Sequence, residues 1–254
     1  MSVAAGTVGV VVGVGLGLTL AWLSSLRRKP PRGELWASPL TTCSRRAIAA
    51  LVEVGAEFTF VPIHLAKGEH KKPAMLALQP YGKVPAWRDA GGWDLFESRA
   101  IVRHVCEGSS LVPADARTRA VMEQWLWVCQ CYFYEPFIQI MYMRVLKKKP
   151  LDEALCDAKR QELEPTLDMM EARLKASPFL AGGDFTIADL DYLCYFEVFG
   201  AAGLQDALDA RPALAAWWAK CRARPSWAYA VSGKVVEDYK GATDPLGRPK
   251  PWDP

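Results

Sequence analysis

The apolar and polar positions of the chain fall into three regimes. Residues 3–23 are one apolar run, and no charge appears before Arg27. From residue 33 to residue 107, short apolar runs of strand type alternate with segments of helical spacing. The runs at 34–37, 58–63, 84–87 and 94–96 read as strands, and Pro62 in the second suggests a sheet edge, where a missing N–H is tolerated. Ala47, Ile48, Leu51 and Val52 mark the apolar face of a helix predicted over 41–54 and closed by Gly55. A polar loop at 64–72 precedes a short helix at 73–78. Asp89-Ala90-Gly91-Gly92 is a hairpin signal between the last two strands. A helix from 98 to 106 ends at Gly108. The order βαβαββα argues for a mixed sheet covered by helices, an α/β domain over 33–108.

After a Gly/Ser/Pro linker at 109–116, only helical periodicity remains, and 117–236 reads as an all-helical domain. A long aromatic run over 117–146 is expected to bend at Pro136, since proline breaks the helical hydrogen-bond ladder. Further helices are expected over 152–176, from the capping box Thr186-Ile187-Ala188-Asp189 to about Gly200, and over 212–222. Residues 237–254, with Asp-Pro, Gly-Arg-Pro and Trp-Asp-Pro, read as an extended tail.

The first regime is long enough to cross a bilayer. Twenty-one residues from 3 to 23 make a helix of ~31 Å, against ~30 Å of hydrocarbon. Gly9, Gly13 and Gly17 have the small-xxx-small spacing that lets spans pack closely. A cleaved signal peptide needs its basic residues before a shorter apolar core; here Arg27-Arg28-Lys29 follow a long one. The segment 1–26 is therefore expected to be a single-pass transmembrane anchor with a stiff linker at 27–32. By the positive-inside rule the globular body faces the cytosol.

Composition narrows the function classes. A formal net charge of +3 is too small and dispersed to argue for nucleic acid. Seven cysteines, an odd and scattered set, do not form a disulfide framework, and three histidines without a Cys-x-x-Cys give no metal site. The chemistry gathers in residues 78–101. Tyr81-Gly82-Lys83-Val84-Pro85 is a turn with proline where a strand should begin. Glu97-Ser98 opens a helix whose free amides and hydroxyl suit a carboxylate, although Ser98 also reads simply as an N-cap.

Four segments carry a family resemblance: Ser38-Pro39-Leu40-Thr41-Thr42-Cys43-Ser44-Arg45-Arg46, Gly68-Glu69-His70-Lys71-Lys72, Leu78-Gln79-Pro80-Tyr81-Gly82-Lys83-Val84-Pro85 and Leu95-Phe96-Glu97-Ser98-Arg99-Ala100-Ile101. In this order, with Phe185-Thr186-Ile187-Ala188-Asp189 downstream, the chain resembles the cytosolic glutathione transferase family over roughly residues 33–232, the phi-type members most. The resemblance implies a thioredoxin-like N-terminal domain, an all-α C-terminal domain and a homodimer. It also implies a cis Val84-Pro85 bond that turns the Val84 backbone toward the cysteine of glutathione. Glu97 and Ser98 would hold the γ-glutamyl end; His70, Lys71 and Lys83 would face the glycyl carboxylate.

Thr41 falls where phi-type enzymes carry a catalytic serine, whose hydroxyl stabilises the thiolate of glutathione. Threonine keeps that donor but adds a methyl group and stiffens χ1. Arg46 matches a family arginine that adds positive potential. Trp127, Tyr134, Phe137 and Tyr142 are possible walls of a pocket for a small apolar electrophile, although such a stripe is more often core. Glutathione enters as co-substrate, with no other cofactor. The expected function is transfer of its thiolate to apolar electrophiles; the anchor suits lipid-derived ones, including peroxides. Two alternatives stand beside it: a non-catalytic glutathione-binding or scaffold protein, and a thiol reductase acting through Cys43.

Overall fold

The computed structural model describes residues 30–232. The expected anchor, its basic flank and the tail from 237 lie outside the described residues. Among the described residues no helix is long and apolar enough to cross a membrane.

The first strand, β1 (Arg32–Ala37), leads into helix α1 (Thr42–Glu53), and β2 (Glu57–Pro62) returns parallel to β1. Two 3-10 turns, Leu65–Lys67 and Glu69–Lys71, occupy the predicted polar loop. After α2 (Pro73–Leu78) come the hairpin strands β3 (Ala86–Asp89) and β4 (Asp94–Phe96), then α3 (Ser98–Cys106). The sheet order is β2-β1-β3-β4, with β3 antiparallel to both of its neighbours. β2 is thus an edge strand, as Pro62 suggested. β3 begins two residues later than expected because Pro85 has no N–H for the ladder. In the hairpin turn the Asp89 carboxylate accepts from the Gly91 and Trp93 amides, at 2.8 and 2.9 Å.

Alternation along the strands sends successive side chains to opposite faces. Leu35, Phe60 and Trp87 join the main core with Ile48 and Leu51 of α1 and Ile101 and Val105 of α3. Trp36, Val61 and Ala86 face the other way, packed with Met75 and Leu78 of α2. Gly33 lets the strands approach: a Cβ there would sit 2.2 Å from the Arg88 carbonyl oxygen.

The helical half begins with α4 (Ala116–Val128) and α5 (Tyr134–Ile140), which are separated by a π-turn at Cys129–Phe133; a second π-turn, Met141–Val145, follows α5. The predicted bend is therefore displaced. The irregularity precedes Pro136, where a widened turn relieves the proline's clash with the carbonyl four residues back. α6 (Glu153–Ala176), α7 (Ile187–Phe196), α8 (Gln205–Asp209), α9 (Pro212–Arg222) and α10 (Pro225–Val231) complete the described chain. α8 and α10 were not expected, being too short for periodicity to register, although Pro225 opening α10 is a start signal.

The main core does not stop at the domain boundary. α1 packs against α3 on one side and against α7 and α10 of the helical domain on the other. Every residue of α7 is buried. The first helix of the α/β domain is thus clamped between the two halves, which fixes what its N-terminus faces.

Candidate active site

A cleft of ≈ 240 Å³ opens between the two domains. Cys43 and Arg46 come to it from α1, and Gln79, Lys83, Val84 and Pro85 from the segment between α2 and β3. Glu97, Ser98 and Arg99 come from the start of α3, and Gln130, Tyr134 and Tyr195 from the helical domain. Five expected site residues thus meet here: Lys83, Val84, Pro85, Glu97 and Ser98. The Val84–Pro85 peptide bond is cis. Of the four aromatic wall candidates only Tyr134 lines the cleft. Phe137 is fully buried in the core, Tyr142 packs against it, and Trp127 is exposed.

Glu97 is the N-cap of α3 but caps with its backbone alone; its carboxylate makes no cap hydrogen bond and is free to face an ammonium group. Its φ of 69° is unusual for a residue other than glycine. Ser98, buried, accepts a hydrogen bond from the Arg46 guanidinium at 3.0 Å. A guanidinium can only donate, so the single hydroxyl hydrogen of Ser98 is left for a ligand. The first amides of α3 have no side-chain cap and point the same way, an arrangement that receives a carboxylate.

Behind Ser98 lies a buried charge cluster. Arg46 pairs with Asp191 of α7 at 2.7 Å and donates to the Tyr195 hydroxyl at 2.7 Å. Arg99 reaches the other Asp191 oxygen at 2.9 Å and also donates to Gln130. Burial alone would lower the pKa of Arg46, but Asp191 beside it more than compensates, so it stays charged. Two guanidinium groups over one carboxylate leave a net positive charge behind the cleft. Burial pushes the Cys194 thiol up to about 12 and Cys129 well above its ordinary range, so both stay protonated.

Three expected residues do not line the cleft. Thr41 is the N-cap of α1: its Oγ1 accepts the Ser44 amide at 3.2 Å, and its hydroxyl lies 2.7 Å from Ser44 Oγ and 3.1 Å from the Ser38 carbonyl. Its hydrogen is thus engaged inside the cap. His70 and Lys71 sit on the 3-10 turn beside the cleft. Lys71 Nζ donates to the Tyr81 carbonyl at 2.9 Å. Gly82, with φ +57°, makes this packing possible, since a Cβ there would lie 2.7 Å from the His70 carbonyl oxygen. The loop is therefore pressed onto the turn that leads to Lys83.

Sequence reasoning did not find Gln79, Arg99, Gln130 or Tyr195. Gln79 is 2% exposed and its Oε1 accepts the Lys83 amide at 3.2 Å, which orders the backbone just ahead of Val84. Tyr195 and Gln130 carry no local signal, because they reach the site only through packing of the helical domain.

A thioredoxin-like sheet domain with a cis-proline turn, joined to an all-helical domain across a cleft with a carboxylate receptor, defines a glutathione-dependent class. The chain belongs to the glutathione S-transferase family and is a glutathione S-transferase. The family's N-terminal domain model matches residues 31–107 and its C-terminal domain model residues 133–225. Glutathione S-transferase F9 of Arabidopsis thaliana is 37% identical over 210 residues, covering 79% of this chain and 94% of the relative. Among solved structures, poplar glutathione transferase F1 is 32% identical with a TM-score of 0.75, covering 85% of this chain and all of that one. Glutathione S-transferase I from maize, in complex with an atrazine glutathione conjugate, is 29% identical with a TM-score of 0.73, covering 79% and 96%. These plant relatives place the chain with the phi class.

Proposed function

We propose that glutathione lies along the cleft with its γ-glutamyl carboxylate on Ser98 and the free amides of α3 and its ammonium on Glu97. The Val84 backbone pairs with its central cysteine. Lys83, with His70 and Lys71 on the adjoining turn, faces the glycyl carboxylate. The thiol then comes to the N-terminus of α1, and its thiolate adds to an apolar electrophile held on the helical side near Tyr134. The observation that carries this reading is the convergence of Val84–Pro85, Glu97, Ser98 and the first turn of α1 on one cleft. The glutathione conjugate held by the maize relative supports conjugation as the reaction.

Thr41 is the proposed hydroxyl donor to the thiolate. To serve, it must turn its hydrogen away from the cap, and the cap tolerates this: the Ser38 carbonyl also accepts the Thr41 amide at 3.0 Å, so it keeps a partner. The test is conjugation of an aryl halide by wild type, Thr41→Ser and Thr41→Ala. Loss of a hydrogen bond to a charged group is worth about 1.5–3 kcal/mol, so Thr41→Ala should raise the pKa of bound glutathione and slow turnover about tenfold or more at neutral pH. Thr41→Ser should match or exceed wild type. Unchanged activity in Thr41→Ala removes the role.

The engaged hydroxyl favours one second reading, a glutathione-binding protein with little turnover. Tight glutathione binding without conjugation in the same assay would support it. We also propose that residues 3–23 anchor the protein to a membrane with the body in the cytosol, that its electrophiles are lipid-derived, including peroxides, and that it works as a homodimer. A chain lacking residues 1–29 should then be released from membranes while keeping its conjugating activity. Retention on membranes would rule the anchor out.

A further inference from the structure

Leu146-Lys147-Lys148-Lys149-Pro150-Leu151 holds the longest run of cations in the described chain, and the glutathione site uses none of it. The stretch leaves the π-turn behind α5 and leads into α6, and all six residues are exposed. It is nonetheless held in shape. The Lys148 and Lys149 amides both donate to the Tyr142 carbonyl, at 2.8 and 3.3 Å. Lys148 Nζ lies over the Tyr142 ring, 5.5 Å from its centroid, and Lys149 Nζ donates to Gln139 at 2.6 Å. None of the three ammonium groups forms an ion pair among the described residues. The acids that follow are engaged elsewhere: Asp152 caps α6, accepting the Leu155 amide at 3.0 Å, while Glu153, by its hydrogen bond, and Asp157 act on Arg144.

Apolar side chains are interleaved with this charge. Leu146, Leu151 and Leu155 are among the few large hydrophobic residues left exposed, and the last two lie one turn apart. Beneath them a cavity of ≈ 470 Å³ is lined by Arg144, Lys147, Lys149 and Leu151 on one side and by Gly200 and Gly203 on the other. Gly203, with φ +72°, makes room for it, since a Cβ there would collide with the Arg144 guanidinium.

We propose that this stretch docks onto a bilayer surface rich in anionic phospholipids. Leu146, Leu151 and Leu155 enter the headgroup boundary, the three lysines face the lipid charges, and one headgroup phosphate sits in the cavity between Lys147 and Lys149. Such a bilayer supplies the two things this surface matches at once, dense negative charge and an apolar layer just below it. A nucleic acid would be met by aromatic side chains for its bases, and the stretch has none. The surface is separate from the glutathione cleft and from residues 3–23, so it stands independently of both. Its consequence concerns the cleft's helical wall: Tyr134 lies twelve positions before Leu146 on one run of helical turns, about 18 Å along the axis at ~1.5 Å per residue.

The test mixes full-length protein with vesicles of phosphatidylcholine, alone or with one third phosphatidylserine, and follows amide hydrogen exchange by mass spectrometry. Peptides covering residues 142–156 should exchange several-fold more slowly on the anionic vesicles than on the neutral ones. High salt, which screens exposed charges, should abolish that difference. Lys147→Glu, Lys148→Glu and Lys149→Glu together should abolish it as well. Lys147→Gln, Lys148→Gln and Lys149→Gln together, a milder change for the fold, should reduce it in the same direction. All variants should conjugate an aryl halide as wild type does in the absence of vesicles. Because the two vesicle types are compared at the same peptides, a membrane span elsewhere in the chain does not produce the difference. Equal protection on neutral vesicles, or protection unmoved by charge reversal, overturns the proposal. So does protection reproduced without vesicles, either by soluble glycerophosphoserine (an anion site only) or by raising the protein concentration (a contact between copies).

Discussion

Glu97 shows how one residue can be read for chemistry and missed for conformation. The Glu-Ser pair ahead of a helical pattern was visible, but nothing in the sequence marks a positive φ at a glutamate. The chain holds it at φ 69° and ψ 113°, a sparsely populated region that costs on the order of 1–3 kcal/mol. Glycine, with no Cβ, holds a positive φ at lower cost than glutamate. Glu97→Gly should therefore raise the urea midpoint, by about 1 kcal/mol of added stability, and weaken glutathione binding about tenfold or more through loss of the ammonium's partner. Denaturation and calorimetry on the same sample check both signs. Thr41 is the converse case. Its place at a helix start was legible, whereas the engagement of its hydrogen with Ser38 and Ser44 is a matter of rotamers that no spacing reveals.

At the level of elements, α7 shows what a local signal leaves unsaid. Thr186-Ile187-Ala188-Asp189 announced a capping box, and the box is present. The same carboxylate also accepts the Leu180 amide at 2.9 Å and the Trp217 indole N–H at 2.9 Å, joining the preceding loop and α9 to the cap. Burial pushes the Asp189 carboxyl up from its ordinary value although its hydrogen bonds oppose this. Asp189→Ala would strand several buried donors at once. It should destabilise the protein by about 3 kcal/mol or more, measured as a lower urea midpoint, while Thr186→Ala, a cap loss alone, should cost about 1 kcal/mol. Pro136 carries the same lesson: proline correctly signalled an irregular helix, but whether that becomes a kink or a π-turn depends on what packs around it.

For the whole molecule, the decisive contact is between α1 and α10. Glu53 near the end of α1 accepts from Nε and Nη2 of Arg224, at 2.6 and 2.7 Å, and from the Ser226 hydroxyl. Burial would raise its pKa, but the hydrogen bonds to Arg224 and Ser226 outweigh that and leave it below the usual 4.5. A folded-state pKa below the unfolded one contributes stability that is complete above about pH 4.5 and is lost as pH falls through the lowered value. The thermal midpoint of Glu53→Gln should therefore lie below that of wild type at neutral pH, with the gap closing as the pH falls below about 4.5. A gap that stayed constant with pH would mean that packing, not charge, holds this contact.

The sequence by itself determined the order of the elements in the α/β domain, the edge position of β2, the hairpin and the capping box. It also located the stretch proposed to hold the tripeptide, because each of these is written in neighbouring residues: an alternation, a proline, a glycine pair, a hydroxyl three places before an acid. Only the tertiary structure decided how the cleft is finished. Arg46 fixes the polarity of Ser98 because Asp191, 145 positions further on, reaches it through the packing of α7 against α1. Cys43 faces the cleft while Thr41 does not, because clamping α1 between the sheet and the helical domain sets the rotation of its first turn. Such side-chain direction depends on contacts distant in the chain, and no local pattern encodes it.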